Sequence, residues 1–169
     1  MFGFINEKRK NLLREEILQD LKKLKIREVL DDGCGMKGSW DYDKTPNLNI
    51  TKVDKIFGDN AENLNFKNKI FDCVVFAGVI QYLERPIKAL QEVYRVLKPK
   101  GYLLISVPNA NSIIKSLFLF KTENLAFTQK GLNAILKSEG FKVLKNKLID
   151  FSFIPKKRKL VIYSLCKKT

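Results

Sequence analysis

Residues 29–40 read VLDDGCGMKGSW, which puts Gly33, Gly35 and Gly38 on the G-x-G-x-x-G spacing of a dinucleotide-binding turn. Glycines at such a turn let the backbone approach a ligand closely and present N–H groups to it. The turn can cradle NAD, hold another nucleotide-like cofactor, or be a tight turn with no ligand, and the spacing alone does not choose. NAD calls for a helix that starts at the turn and sets its positive end on the pyrophosphate. Here the following SWDYDKTPNLNIT carries a proline and many turn formers, so any helix after the turn is short or absent. A ligand without a pyrophosphate depends less on that helix.

Other chemistries are narrowed by what the chain lacks. It has no histidine, which removes the commonest general base and every Ser-His or Cys-His nucleophile pair. Cys34, Cys73 and Cys166 are far apart with no C-x-x-C pair, so neither a zinc site nor a disulfide framework is expected. No catalytic residue is assigned.

The elements that must position the turn follow from periodicity. Leu13, Ile17, Leu21 and Leu24 recur at helical spacing and predict an amphipathic helix over 6–25. Residues 27–31 read as a buried strand running into the glycines, NLNIT (47–51) as a second strand and KIFGD (55–59) as a third. FDCVVFAG (71–78) is an apolar run of strand length, suited to the middle of a parallel sheet. Ile87, Leu90, Val93, Tyr94 and Leu97 mark a second helix, opened by Pro86 and stopped at Pro99, before the strand GYLLISV (101–107). Thr128 is placed to cap a helix carrying Leu132, Ile135 and Leu136, with Gly140 at its C-terminal end. FKVLKNKLIDF and KLVIYSLC look like a closing pair of strands. Strands alternating with helices predict an α/β sandwich with a mostly parallel sheet. Ligands in such sheets bind beyond the carboxyl ends of the strands, where residues 31–38, Asn49, Asp59, Asn60 and 76–79 can converge.

The chain has 169 residues, 45% of them apolar and 30% charged, the balance of one globular domain that buries roughly 70% of its unfolded surface. No apolar run approaches the ~18–20 residues that cross a bilayer, and the opening residues lack the apolar centre of a signal peptide, so a cytoplasmic location is expected. The formal charge is +14, and residues 96–169 hold 15 Lys/Arg against 3 Asp/Glu. That half predicts either an acidic or nucleic-acid partner or simply a lysine-rich surface, with KKRK (156–159) its one dense cluster.

EVLDDGCG, then GDNAENLNF, then FDCVVFAGVIQYLERPIKALQEVYRVLKPKGYLLISVPN together resemble the class I S-adenosylmethionine-dependent methyltransferases, in particular the type 11 group. That group runs L-D-x-G-C-G, G-D-A-x-x-L-P-F, F-D-x-V and R-V-L-K-P-G-G in this order. The likeness covers residues 28–109 and continues loosely through FTQKGLNAILKSEGFKV. It implies a Rossmann-like methyltransferase sandwich: an α/β fold with a mostly parallel sheet, an antiparallel C-terminal strand, and helices trimmed relative to the family. It also implies S-adenosylmethionine as cofactor, S-adenosylhomocysteine as product, and one domain divided into a cofactor half (about 26–108) and a substrate side (about 109–169).

Carried over by position, Asp31, Gly33 and Gly35 take the methionine-end and glycine-turn role. Asp59 takes that of the acid after the third strand that accepts from the adenine amino group, Asn60 and Ala61 lie along the adenine, and Phe76 and Ala77 give backbone contacts to the methionyl portion. The family's acid ending the second strand, which grips the ribose hydroxyls, falls on Asn49, with Asp54 as an alternative sited beyond the strand. Other departures are Lys37 at the family's third glycine, Lys100 for a glycine in RVLKPKG, and Gln81-Tyr82 where Glu-His is common. If a base is needed, Tyr82 or a nearby acid can serve. FAGVI after the fourth predicted strand is not the Asn/Asp-Pro-Pro-aromatic motif of amino-methylating DNA enzymes, and no Pro-Cys motif of cytosine carbon methylation occurs. SIIKSLFLF (112–120) reads as a substrate cover, a packed helix or a dimer contact. Two functions result: a methyltransferase acting on an unidentified acceptor, a small molecule ahead of nucleic acid, or an inactive relative that docks nucleic acid through its basic surface.

Overall fold

The computed structural model describes residues 2–35, 45, 47–111, 127–150 and 159–169. Gly38, the cover segment 112–120 and most of the KKRK cluster lie outside the described residues. The element order is α1 (Phe2–Lys23), β1 (Glu28–Asp32), β2 (Asn49–Val53), β3 (Phe71–Ala77), α2 (Pro86–Val96), β4 (Leu97–Pro108), α3 (Gln129–Ser138), β5 (Phe141–Asp150) and β6 (Lys159–Lys168). They form one six-stranded sheet in the order β2-β1-β3-β4-β6-β5. β2, β1, β3 and β4 are mutually parallel, and β6 runs antiparallel between β4 and β5. The sandwich and its antiparallel C-terminal strand therefore match the sequence reading.

One predicted strand is absent. KIFGD does not pair with the sheet; Lys55–Phe57 is a single 3-10 turn. The segment is too short to leave β2 and return, and Asp54 and Gly58 close it on itself.

The pleat of the central strands sends alternate side chains into two cores. On one face Leu30, Val74, Phe76, Leu103 and Ile105 meet Ala89, Leu90 and Val93 of α2 and Leu132 and Leu136 of α3. On the other, Val29, Cys73, Val75 and Leu104 meet Leu13, Ile17 and Leu21 of α1. Ile17 and Leu21 are almost fully enclosed, each stabilising by roughly 1.5–3 kcal/mol. A polar cluster ties α1 to the last two strands: the Tyr163 hydroxyl donates to Asp20 Oδ2 at 2.7 Å, and Lys145 Nζ donates to both Asp20 and Glu16.

Helix boundaries follow local chemistry. Pro86 opens α2, and Leu97 turns straight into β4. Thr128 accepts from Gly131 N–H at the start of α3, and Gly140 just beyond it takes φ +83°. At the C-terminal end of α2, Lys168 Nζ donates to the Tyr94 and Leu97 carbonyls, so the last strand caps the second helix. Among the described residues, no helix is long and apolar enough to cross a membrane.

Candidate functional site

Strand order reverses between β1 and β3, and a crevice of about 740 Å³ opens beyond the carboxyl ends of β1, β2 and β3. That volume lies within the range of small-molecule and cofactor pockets. Asp32 and Gly33 line it from the end of β1, Asp54, Lys55 and residues 58–62 from the segment after β2, and Gly78, Val79 and residues 82–85 from the segment after β3.

The segment after β2 folds as a self-contained loop. Asp54 Oδ1 accepts Ile56 N–H at 3.1 Å, its carbonyl accepts Phe57 and Asp59 N–H, and Gly58 closes the turn at φ +89°. Asp59 Oδ2 in turn accepts Asp54 N–H at 3.0 Å. The chain thereby doubles back and sets two carboxylates, Asp54 and Asp59, on the crevice. Asn60 Oδ1 then accepts Glu62 N–H as a side-chain turn. Glu62 reaches across to accept both the backbone N–H and Nε of Arg85, tying the two walls together. Those bonds, the backbone one first, hold the Glu62 carboxyl below the usual carboxylate range. Behind this loop, Glu92 accepts Leu64 N–H and Arg95 donates to the Leu64 and Phe66 carbonyls, fixing it to α2.

The described residues of the glycine turn, 33–35, are tied to the end of β2 and the residue after it. Gly33 and Cys34 N–H both donate to the Val53 carbonyl, and Gly35 N–H donates to Asp54 Oδ2 at 2.8 Å. Three amides that would cradle a phosphate are therefore already engaged. Gly33 has φ +88°, and a Cβ there would stand 2.1 Å from Val79 Cγ2, so glycine is required for the two walls to meet. Among the described residues, the crevice wall therefore offers carboxylates and not the amides of residues 33–35.

Asp32 is the most perturbed of these. It is 3% exposed, and its Oδ2 is buried with no hydrogen-bond partner among the described residues. Burial first, then the charges of Asp31, Asp54 and Asp59, push its carboxyl up to about 7. Cys34 is buried alongside; desolvation first and then Asp31 and Asp54 raise its thiol, so it is not an activated nucleophile. Among the described residues, no group of three or more His, Cys, Asp or Glu is placed to hold a metal ion.

The predicted site residues divide accordingly. Gly33, Asp59, Asn60 and Ala61 line the crevice, and Gly35 stands behind it through its bond to Asp54. Asp31 is buried within the sheet, in register with Lys52 and Val75, one residue short of the crevice-lining Asp32. Phe76 is wholly buried in the core and Ala77 half-buried; Gly78 and Val79, next in the chain, form the wall.

Asn49 requires a correction. It opens β2, pairing with Glu28 at the amino end of β1, and its Nδ2 donates to Glu28 Oε1 at 2.9 Å. Parallel pairing puts that end of β2 on the edge opposite the crevice. The strand extends to Val53, so the acid that follows it is Asp54. A strand reading two residues too early concealed this, because Lys52 interrupts the apolar pattern that would have carried β2 further.

Comparison with known proteins agrees with this geometry. Residues 30–105 match the model of the methyltransferase domain family. An uncharacterized protein of Methanocaldococcus jannaschii is 36% identical over 118 residues, covering 62% of this chain and 52% of that protein. A ubiquinone/menaquinone biosynthesis C-methyltransferase of Haemophilus ducreyi is 41% identical over 63 residues, 37% of this chain and 24% of the enzyme. The chain thus spans about half of the first relative and a quarter of the second. Among solved structures, the Burkholderia thailandensis 1,6-didemethyltoxoflavin-N1-methyltransferase, with bound 1,6-didemethyltoxoflavin and S-adenosylhomocysteine, superposes with a TM-score of 0.72 at 16% identity, covering 99% of this chain and 81% of that one. With the strand order and the crevice in agreement, the chain has the Rossmann-like methyltransferase fold, and its residues 30–105 are similar to the methyltransferase domain family.

Proposed function

We propose that the crevice binds S-adenosylmethionine and that the protein transfers its methyl group to a small-molecule acceptor, leaving S-adenosylhomocysteine. The observation that carries this reading is the carboxylate lining. In a chain of net charge +14, the crevice wall presents Asp32, Asp54, Asp59, Glu62 and Glu84 against Lys55 and Arg85. A ligand with an ammonium, a sulfonium, ribose hydroxyls and an adenine amino group supplies cations and donors for such a wall. A pyrophosphate would meet like charge, and the amides of residues 33–35 are already engaged.

Roles follow from position. Asp54 follows β2 and, with lone pairs left beyond its two backbone bonds, accepts from the ribose hydroxyls. Asp59 accepts from the adenine amino group, with Asn60 and Ala61 beside it. Gly78, at φ +75° on the crevice wall, lets the backbone come close to the methionyl end. When bound, the cofactor supplies an activated methyl group; the protein's part is to hold the acceptor in line with it and exclude competing water. Tyr82, 66% exposed on the crevice wall, is positioned to meet the acceptor.

The small-molecule acceptor is favoured over nucleic acid by where the basic residues lie. β5 and β6 are separated from β1 by β3 and β4, some 15–20 Å across the sheet at ~4.8 Å per strand. Several of the C-terminal lysines also have structural partners: Lys98 with Asp72, Lys145 and Lys147 with Glu16, and Lys168 with the end of α2. Calorimetric titration with S-adenosylmethionine, S-adenosylhomocysteine and NAD tests the reading. Saturable one-to-one binding of the first two and none of NAD is expected. Absence of heat and of thermal stabilisation at millimolar S-adenosylmethionine overturns it.

A further inference from the structure

We infer that the amino-terminal edge of the sheet, at the end of the molecule away from the crevice, is a docking surface for the phosphate backbone of nucleic acid. This surface is independent of the cofactor reading. In the sequence the excess charge falls in the C-terminal half, whereas the fold gathers a basic face from both halves. β3 and β4 pair at Phe71↔Leu97 and again at Cys73↔Tyr102, so residues 98–101 bulge from the edge at which Lys67 and Lys69 lead into β3. β6 runs the other way and brings Lys167 opposite Tyr102, and β5 sets Lys142 opposite Lys167. Lys168 lies close enough to Lys69 that its ammonium is held below the usual lysine range, by burial first and then by that charge. Of the acids at this edge, Asp72 is held by Lys98 and by the Arg27 and Glu28 amides, Glu28 by Asn49 and Glu92 by Arg95, leaving Glu139 just past α3. Lys67, Lys69, Lys100 and Lys142 are exposed, and none has a side-chain partner among the described residues.

Two features separate this face from an ordinary lysine-rich surface. Lys69 at φ +59° and Lys100 at φ +63° are the two non-glycine residues with positive φ among the described residues. A side chain at such a φ strains the backbone where glycine would not, so solubility alone gives no reason for a lysine at either position. The charges are also segregated: Asp32, Asp54, Asp59, Glu62 and Glu84 line the crevice at the opposite edge, which turns a polyanion away from the site and toward the lysines. The class of polyanion follows from what the face lacks. Of the exposed large apolar side chains, Ile56, Phe57 and Tyr82 belong to the crevice segments and Ile87 to the start of α2. A bilayer would meet at most Leu144, on β5 beyond Lys142, where a membrane-binding face needs an apolar stripe. Lysine is depleted at protein–protein interfaces, whereas its ammonium serves phosphates as a point charge.

The test is fluorescence anisotropy of the full chain with a labelled, mixed-sequence DNA duplex as salt is raised. Four free lysines predict binding in the micromolar range, with log affinity falling against log salt at a slope of about −3 to −4. Lys69→Gly/Lys100→Gly should flatten that slope by about 2 and weaken binding about tenfold or more at physiological salt. The same variant should melt no lower than the wild type, because glycine relieves the positive φ. Lys67→Gln/Lys142→Gln should weaken binding similarly, while Lys88→Gln/Lys130→Gln, in the first turns of α2 and α3, should leave the slope unchanged. No binding to the duplex at low salt, or an equal loss in the Lys88/Lys130 pair, overturns the inference. Co-sedimentation with phosphatidylglycerol vesicles without binding to the duplex also overturns it and makes the face a membrane surface. S-adenosylhomocysteine titration of the variants should match the wild type, so failure here leaves the cofactor reading standing.

Discussion

Replacing Asp32 with asparagine should stabilise the ligand-free protein at neutral pH. Asp32 titrates near 7 in the fold against an ordinary value of 3.8, so folding raises its affinity for a proton. The folded chain keeps the proton that the unfolded chain releases from about pH 4 upward. Stability is therefore fully present below pH 4, falls as pH rises, and has lost the whole contribution above about pH 7. Three pK units at about 1.4 kcal/mol each set a ceiling of about 4 kcal/mol, and about 2–4 kcal/mol is the expected penalty at pH 8. Asparagine is nearly isosteric with the protonated acid and cannot ionise, so it removes the penalty. Wild-type stability alone will not isolate this, because Glu92, held low chiefly by Arg95, contributes stability above its unfolded pKa that is lost in acid. The difference between the two proteins does. Urea unfolding from pH 4.5 to 8.5 should give a gap near zero in acid that widens to about 2–4 kcal/mol, or roughly 5–10 °C in Tm for a chain of this size. A gap that stays constant with pH would refute the account of Asp32 as a buried, unpartnered acid.

Further expectations concern the walls of the crevice. Asp54→Ala leaves the Gly35 and Ile56 amides without their acceptor and should cost about 1–3 kcal/mol in urea unfolding and at least tenfold in calorimetric cofactor affinity, while Asn49→Ala should leave that affinity unchanged. Gly33→Ala should destabilise by about 2–4 kcal/mol through the collision with Val79 and the positive φ, and Val79→Ala should relieve part of that loss in the double variant, read as a non-additive urea-unfolding cycle. Lys100 adopts φ +63° where the family has glycine, so Lys100→Gly should raise stability by about 1 kcal/mol in thermal unfolding without changing cofactor affinity.

The sequence by itself determined the layers and the place of the site. Apolar residues at helical spacing in α1, α2 and α3 have only one face to bury, and the unbroken run of β3 must lie inside a sheet, so the sandwich and its crevice follow from short-range pattern. Pro86, Thr128 and Gly140 mark their boundaries because each acts on its own backbone. What the tertiary structure decided was which atoms face the crevice. KIFGD has the composition of a strand but no neighbour to pair with, and its fate as a turn was set by Asp54 and Asp59 closing on each other. Asn49 opens β2 and Asp54 follows its last residue, and only the register with β1 shows that the first lies at the edge away from the crevice and the second at the crevice edge. The glycine spacing suggested free amides, but whether a turn N–H is free depends on what packs over it, here the Val53 carbonyl and the Asp54 carboxylate. Asp31 and Asp32 are adjacent letters of one motif. A single residue of pleat sends the first into the sheet and the second to the crevice wall.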